Sequence, residues 1–143
     1  MIYNTSSLES VAQCDLILEE LAAEASNISA RISLAQTAIN DVTDEVTDLP
    51  AEIATIEQQI AALDVQIAAE TDTKRRNDLK IDRNSADNKL IRLQNRLGSL
   101  AGVRLLDRQY GLAKNQSKLL ALQEFQAAVN VRKTALEGVA GAA

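Results

Sequence analysis

The stretch that decides the fold is residues 11–67, VAQCDLILEELAAEASNISARISLAQTAINDVTDEVTDLPAEIATIEQQIAALDVQI. Within it, apolar side chains recur at intervals that alternate between three and four residues. In an α-helix such intervals place the side chains on one stripe, which is typical of the seam of a coiled coil. The first half of the chain is therefore predicted to lie along another helix. The seventeen seam positions are Val11, Cys14, Leu18, Leu21, Ala25, Ile28, Ile32, Ala35, Ile39, Val42, Val46, Leu49, Ile53, Ile56, Ile60, Leu63 and Ile67.

The amino-acid composition favours an all-α fold in a single domain. The chain has 143 residues, of which 46% are hydrophobic, but only 2% are aromatic. Globular cores usually obtain much of their buried area from aromatic rings, whereas helix–helix seams are filled by Leu, Ile, Val and Ala. The scarcity of clustered β-branched residues also disfavours a sheet. Cys14, the only cysteine, lies on the seam and is predicted to be a small buried side chain.

The two halves of the chain carry opposite net charge. Residues 1–72 contain fourteen acidic residues and one basic residue, a net charge of −13, whereas residues 73–143 contain fourteen basic and six acidic residues, a net charge of +8. Each half alone would repel itself, but the two halves would attract each other if they lay side by side. Flanking charges of this kind select the partner and the orientation in coiled coils.

The charge changes sign at residues 71–74, and we predict that the chain reverses there. Facing residues in an antiparallel pair have a constant sum of residue numbers, and apolar residues of the second half face the seam at a sum of 146. Beyond residues 98–102 the sum becomes 147, so one extra residue is predicted in that stretch. The facing pairs include Ile60 with Ala86, Ile56 with Leu90, Leu49 with Leu97, Val46 with Leu100, Val42 with Leu105 and Leu18 with Val129. Arg83 opposite Leu63 is the one polar break.

The predicted fold is a long antiparallel helical hairpin, or coiled coil. Its first helix begins near Ser6, because Ser6 and Glu9 have the spacing of a capping box. Residues 70–89 contain few apolar groups, which is typical of a solvated hairpin tip and not of a buried helix. The predicted segments are a first arm at residues 6–70, a tip at 71–78, a second arm at 79–137 and a flexible tail at 138–143.

Both arms are interrupted by helix breakers, at Pro50 and at Gly98–Gly102. Pro50 either kinks a continuing helix or separates two antiparallel helices, because proline lacks an amide donor and disfavours the α conformation at the preceding residue. Two glycines weaken a helix by about 1 kcal/mol each relative to alanine, so residues 98–102 form a hinge or a turn. If the chain reverses at both places, it forms an elongated four-helix bundle instead.

Several apolar residues lie off the seam and need a further neighbour. The last helix carries a second stripe beside its seam, and the first helix has additional apolar residues of this kind. We expect them to contact copies of the same chain or another helix of the bundle. The predicted protein-interface residues are Leu106, Tyr110, Ala113, Leu120, Ala127, Val131, Ile17 and Leu34.

The sequence contains no catalytic, metal-binding or nucleotide-binding signature. It has no histidine, the commonest general base and metal ligand, and no glycine pattern of a phosphate-binding loop. The basic residues at 74–83 are interleaved with aspartates and have no aromatic neighbour for base stacking. We therefore expect no enzymatic activity, cofactor, metal, nucleic acid or small-molecule substrate.

The expected role is that of a structural or assembly protein. No stretch approaches the roughly 20 apolar residues that span a bilayer, so no membrane partner is expected. Residues 1–4 lack the features of a signal peptide, so a cytoplasmic location or a place in an assembly of soluble proteins is expected. We expect self-association through coiled-coil seams as part of a larger complex. The alternative is a helical adaptor or chaperone-like module that binds a helix of a partner protein.

Overall fold

The computed structural model describes residues 3–142, and all the regular structure within that range is helical. The elements are α1 at Val11–Ala69, α2 at Thr73–Ser99, a π-helical turn at Leu100–Arg104 and α3 at Leu105–Ala142. The predicted all-α class is confirmed. The chain divides into two compact units, which are described separately: unit 1 comprises Met1–Thr37 and Gln109–Ala143, and unit 2 comprises Ala38–Arg108.

The seam of α1 is present as the sequence predicts. All seventeen seam positions are buried or half-buried, whereas most residues between them are exposed. Cys14, predicted to be buried, is completely inaccessible to solvent. The three-and-four spacing therefore identifies the buried face of this helix correctly over its whole length.

The start of α1 differs from the prediction, which placed it at Ser6. The helix is capped by Ser10, whose Oγ accepts a hydrogen bond from the amide of Gln13 at 3.2 Å. Gln13 Oε1 in turn accepts the amide of Glu9 at 2.8 Å. Ser6 donates its hydroxyl to Asn4 Oδ1 instead, at 2.5 Å, in the turn before the helix. The predicted capping box at Ser6 and Glu9 is therefore wrong.

Helix α1 continues through Pro50 without an end. The alternative in which Pro50 separates two antiparallel helices is therefore wrong. Pro50 itself is exposed, whereas the preceding Leu49 is 5% exposed and belongs to the core. The ring thus lies on the solvent side of the helix, and the carbonyl of Val46 has no amide from residue 50 to accept.

Replacing Pro50 by alanine is expected to stabilise the protein. Proline in a helix interior is about 3 kcal/mol less favourable than alanine, and no packing is lost because the ring is exposed. The free energy of unfolding, from a guanidinium titration followed by circular dichroism at 222 nm (the helix band), should rise by up to about 3 kcal/mol. An unchanged or lower value would show that α1 requires the proline.

Only residues 70–72 separate α1 from α2. Asp72 caps α2 by accepting the amide of Arg75 on Oδ1 at 2.8 Å. The guanidinium of Arg76 donates to the carbonyl of Glu70, with Nε at 3.0 Å. The predicted tip at 71–78 is therefore too long. Residues 73–78 of the predicted tip are helical, as is the rest of the polar stretch to residue 89.

Unit 2 has two hydrophobic clusters between α1 and the segment that follows it. In each of them, residues of α1 pack against residues predicted to face them, such as Ile60 and Ala86. One cluster consists of Val42, Leu49 and Leu100, with Val46, Leu93, Leu97 and Leu105 packed around it. The other consists of Ile56, Ile60 and Ala86, with Leu63, Leu90 and Leu93 around it.

The interruption predicted at residues 98–102 is a π-helical turn with a local kink. Gly102 departs from helical geometry, with φ −95° and ψ −113°. A π-helical turn contains more residues than an α-helical turn, because its hydrogen bonds join residues five apart. The π-helical turn therefore fits the one extra residue that is predicted from the change in the sum of facing residue numbers. Val42 and Leu105, which are predicted to face each other at a sum of 147, both pack in the same cluster as Leu100.

In unit 1, the beginning of α1 packs against α3. Cys14 on α1 and Val129 on α3 are both fully buried. Lys133 Nζ lies 2.8 Å from Asp15 Oδ1, and Arg132 Nε donates to the carbonyl of Leu8 at 2.9 Å. Both the apolar seam and its polar flank thus join the two ends of the chain within this unit.

The end of α3 also differs from the prediction. Residues 138–142, predicted as part of a flexible tail, are helical and exposed. The last residue of that predicted tail, Ala143, lies outside the described residues. In this segment only the two glycines strongly weaken a helix. The helix propensities of Val139, Ala140 and Ala142 are sufficient for the helix to continue.

Candidate protein-interaction surface

An exposed second stripe runs along the part of α3 that belongs to unit 1. Its positions follow the same alternating three-and-four spacing as a coiled-coil seam, and every one of them is exposed. The larger side chains are Tyr110, Leu120 and Val131, which are 71%, 58% and 72% exposed. We call this set the outer stripe; it comprises Tyr110, Ala113, Ser117, Leu120, Glu124, Ala127 and Val131.

The outer stripe lies on the side of α3 that faces away from α1. The inward side of α3 carries Leu122 and Val129, which are 8% and 0% exposed. At 100° per residue, the centre of the outer stripe is about 150° around the helix from the centre of the inward seam. A helix with apolar seams on two nearly opposite sides is typical of a helix that packs against two neighbours.

The surface around the outer stripe carries little charge. Between Gln109 and Val131 the only charged residues are Lys114, Lys118 and Glu124. The centres of protein interfaces are depleted of charged residues in the same way. A row of amide side chains, spaced seven residues apart, borders the stripe. This amide row consists of Gln109, Gln116, Gln123 and Asn130, and all four are exposed.

The predicted interface residues do not all lie on one surface. Leu106 is 66% exposed, but it belongs to unit 2. Leu34 is 72% exposed and Ile17 is half-buried, and both are on α1 in unit 1. Tyr110, Ala113, Leu120, Ala127 and Val131 are the members that share one face of α3. Their role in an interface stays a prediction.

No protein-family model, curated protein or solved structure matches this chain. What it does has to be inferred from its own residues.

A second feature of unit 1, which the spacing of the sequence does not predict, is an aromatic pair beside a groove. The rings of Tyr3 and Phe125 have centroids 4.8 Å apart, and the Tyr3 hydroxyl donates to the carbonyl of Ala121 at 2.9 Å. An open groove of about 430 Å³ lies next to them. Its lining consists of Tyr3, Leu21, Glu24, Ile28, Lys118, Ala121, Leu122 and Phe125.

Ion pairs flank the apolar seams and join the acidic half of the chain to the basic half. In unit 2, Arg83 pairs with Asp64 at 3.0 Å, so the predicted polar break has a partner on α1. In unit 1, the hydrogen bond and the charge of Asp15 raise the pKa of Lys133 above its usual value. Two further ion pairs between α1 and the second half, both in unit 2, are Lys89 with Glu52 at 3.4 Å and Arg96 with Glu45.

Two further features of the described residues bear on the kind of site. Within residues 3–142, no group of three or more His, Cys, Asp or Glu side chains is arranged to hold a metal ion. None of the helices in this range combines the length and the apolar character needed to cross a membrane.

Proposed function

We propose that this chain is a non-enzymatic structural or assembly protein that associates with copies of itself as part of a larger complex. The observation that carries the proposal is the outer stripe. Its apolar side chains have the spacing of a coiled-coil seam, yet Tyr110, Leu120 and Val131 are more than half exposed in the single chain. Helices of this kind are typical of assemblies in which a neighbouring helix covers the second seam.

Within each unit, we propose that the two helical segments form an antiparallel coiled coil. The clusters of unit 2 contain residues whose numbers have the constant sum expected of an antiparallel pair, such as Ile60 and Ala86. The flanking ion pairs, such as Arg83 with Asp64 in unit 2 and Lys133 with Asp15 in unit 1, join opposite charges across the seam. Both features are characteristic of coiled-coil pairing, in which the seam supplies stability and the flanks select the orientation.

The interiors of the units favour a role in packing over a role in chemistry. Every buried residue described is apolar, and the largest fully buried side chains are Val129 and Cys14. Enzyme sites usually need a few polar groups that converge in a pocket. We therefore propose a protein partner, foremost another copy of this chain, in the cytoplasm or in an assembly of soluble proteins.

The proposal is tested by measuring the mass of the chain in solution. Sedimentation equilibrium from micromolar to millimolar concentration should give a mass that rises from 15.4 kDa towards a multiple of it. The rise is expected because burial of the exposed apolar side chains favours association as concentration increases. A mass that remained at 15.4 kDa over the whole range would reject self-association.

The groove of unit 1 favours a second candidate function, a helical adaptor or chaperone-like module. Its walls carry Leu21, Ile28 and Phe125, which fit the apolar face of a partner helix. Glu24 and Lys118 on the same walls could select that helix by charge. This candidate requires a chain that stays monomeric and binds a different protein, so the mass measurement separates it from self-association.

A further inference from the structure

We propose that the exposed face of α2 pairs with the same face of a second copy, in antiparallel orientation, through a palindromic stripe of asparagine and isoleucine. This inference rests on the proposed self-association and adds to it a second surface, in unit 2. All of α2 belongs to that unit. The partner is identified by how the stripe complements itself in polarity and charge. We call this set the asparagine stripe; it comprises Asn77, Ile81, Asn84, Asn88, Ile91 and Asn95.

The asparagine stripe has the geometry of a second seam. Its positions alternate between intervals of four and three residues, and all six are exposed. Ile81 is 62% exposed and Ile91 is 48% exposed. Each position lies two residues before a position of the inward seam of α2, as Asn84 lies before the buried Ala86. Two residues correspond to about 200° around a helix, so the stripe faces away from α1.

The asparagine stripe is uncharged, although the helix around it is densely charged. Eleven of the 27 residues of α2 are charged, yet none of them occupies one of the six positions. An asparagine in the seam of a coiled coil costs stability but specifies the register and the number of helices, because its amide is satisfied only opposite a matching polar group. Pairing through this stripe is therefore expected to be weak but specific in register.

The order of residues along the stripe is a palindrome, and it selects the register. In an antiparallel pair whose facing residue numbers sum to 172, every asparagine faces an asparagine and every isoleucine faces an isoleucine. Each amide has a donor and an acceptor group, so two facing asparagines can hydrogen-bond reciprocally. A shift of one heptad in either direction would place an isoleucine opposite an asparagine. The facing pairs are Asn77 with Asn95, Ile81 with Ile91 and Asn84 with Asn88.

Charge favours the antiparallel orientation. In this register, the exposed Asp78 of one copy lies beside the exposed Arg92 of the other, and the two-fold axis makes this pair occur twice. Arg92 donates by Nε to the carbonyl of Asn88 at 3.3 Å, and its terminal amino groups can bind the carboxylate. Lys74 lies opposite Gly98. In a parallel pair in register, Lys74 would face Lys74 of the other copy, and facing like charges are unfavourable.

One pair in the antiparallel register brings like charges together at the two-fold axis. Asp87 of one copy lies beside Asp87 of the other. Its carboxylate is 4.0 Å from the guanidinium of Arg83 on the same helix, which compensates part of the charge within each chain. In a parallel pair, Arg92 would depend on this same Asp87, which already has Arg83 as a partner. Asp78 is therefore the better partner for Arg92.

The first experiment measures the mass of the full chain by sedimentation equilibrium, for the wild type and for Leu120→Glu. Leu120→Glu puts a charge on the outer stripe, so that the asparagine stripe dominates the remaining association. This variant should still approach twice 15.4 kDa as the concentration rises. Adding Ile81→Glu, which places a charge opposite Ile91 of the second copy, should weaken that association by about tenfold or more.

The matched control adds Val65→Glu to the Leu120→Glu chain. Val65 lies on α1 of the same unit and is 70% exposed, against 62% for Ile81. This control should leave the association unchanged. Circular dichroism at 222 nm checks that the variants keep their helicity. In dilute solution, where the chain is monomeric, none of these substitutions should lower the free energy of unfolding appreciably, because the altered side chains are exposed in the single chain.

The second experiment tests the orientation by exchanging charges in the same Leu120→Glu chain. Asp78→Arg alone would place two arginines together, and Arg92→Asp alone would place two aspartates together. Each of these variants is expected to weaken association by about threefold to tenfold at low salt, because the affected pair occurs twice. Combining the two substitutions should restore the affinity, since the combination exchanges the two charges across the interface.

The outcomes separate this inference from the proposed function. If the wild-type chain associates but Leu120→Glu is monomeric, the asparagine stripe is not an interface and the inference is wrong, while self-association stands. The inference is equally wrong if Ile81→Glu leaves the affinity unchanged or if Val65→Glu weakens it as much. If the two charge substitutions do not rescue each other, the antiparallel register is wrong. A wild-type chain that is monomeric at every concentration overturns the proposed self-association itself.

Discussion

Replacing Ile56 by alanine is expected to lower the free energy of unfolding of unit 2 by about 2–5 kcal/mol. Ile56 is 5% exposed and packs against Ile60 and Ala86 in the core of that unit. The substitution removes buried carbon atoms and leaves a cavity. Ala86 is too small to fill it, and Leu90 and Leu93 of α2, which pack around the cluster, can relax into it only in part. The expected cost therefore includes both the lost burial and the cavity.

The matched control for this substitution is Ile81→Ala. Ile81 lies in the same unit, but it is 62% exposed. Both variants exchange isoleucine for alanine, which has the higher helix propensity, so this local contribution is similar in the two. Guanidinium titrations should show a lower midpoint for Ile56→Ala and an unchanged or slightly higher midpoint for Ile81→Ala. Equal destabilisation of the two variants would contradict the assignment of the buried face.

The sequence predicts the buried faces of this protein well because the signal is repeated. A single apolar residue says little, but seventeen seam positions in constant alternation fix one side of α1. The same logic holds for the exposed surface of α3, where the spacing of Tyr110, Leu120 and Val131 predicts a second stripe that is indeed solvent-exposed in the single chain. What that stripe binds does not follow from spacing alone.

Helix ends are harder to predict, since they depend on a single local choice. Ser6 with Glu9 and Ser10 with Gln13 have the same capping spacing, and both pairs precede an apolar stretch. The structure uses Ser10, and Ser6 lies in a turn closed by Asn4. Nothing in the local pattern favours one pair, because the choice depends on how the preceding residues pack on α3.

The helical beginning of α2 does not follow from the spacing of its apolar residues. Residues 73–89 have few of them, yet the segment is helical from its first residue. Asp72 caps its beginning, and Arg83 and Lys89 form ion pairs with α1. Ala86, one of the three apolar residues, is 6% exposed and lies in the core. A narrow helix–helix seam needs only one or two apolar residues per turn, so a polar segment can still form half of it.

The groove of unit 1 could not be predicted because its contacts are remote in sequence. Tyr3 precedes the first helix and has no place in the seam pattern, yet it hydrogen-bonds to Ala121, 118 residues away. Its ring packs against Phe125. The one available signal was the rarity of aromatic residues, since two of the three in the chain meet there.

The substitution Val42→Asp is expected to have the largest effect, a loss of about 4 kcal/mol or more in the free energy of unfolding of unit 2. Val42 is 3% exposed and contacts the cluster of Leu49 and Leu100. Among the residues one turn away from position 42 on α1, only Glu45 is ionisable. It carries a negative charge, as the introduced aspartate would. The control is Val65→Asp, on the same helix and in the same unit, where the side chain is 70% exposed and alanines lie one turn away in both directions.

The pH dependence of Val42→Asp separates the effect of charge from the effect of polarity. Burial disfavours the ionised form, so the pKa of the introduced carboxyl in the folded state rises above its unfolded value of about 3.9. The loss of stability relative to wild type should therefore be smallest below that unfolded value and should grow as the pH rises towards the folded pKa. Val42→Asn is polar but does not titrate, so its loss relative to wild type should be independent of pH over the same range. If the two variants showed the same pH profile, position 42 would be hydrated in solution, and the packing of Val42 against Leu100 would have to be wrong.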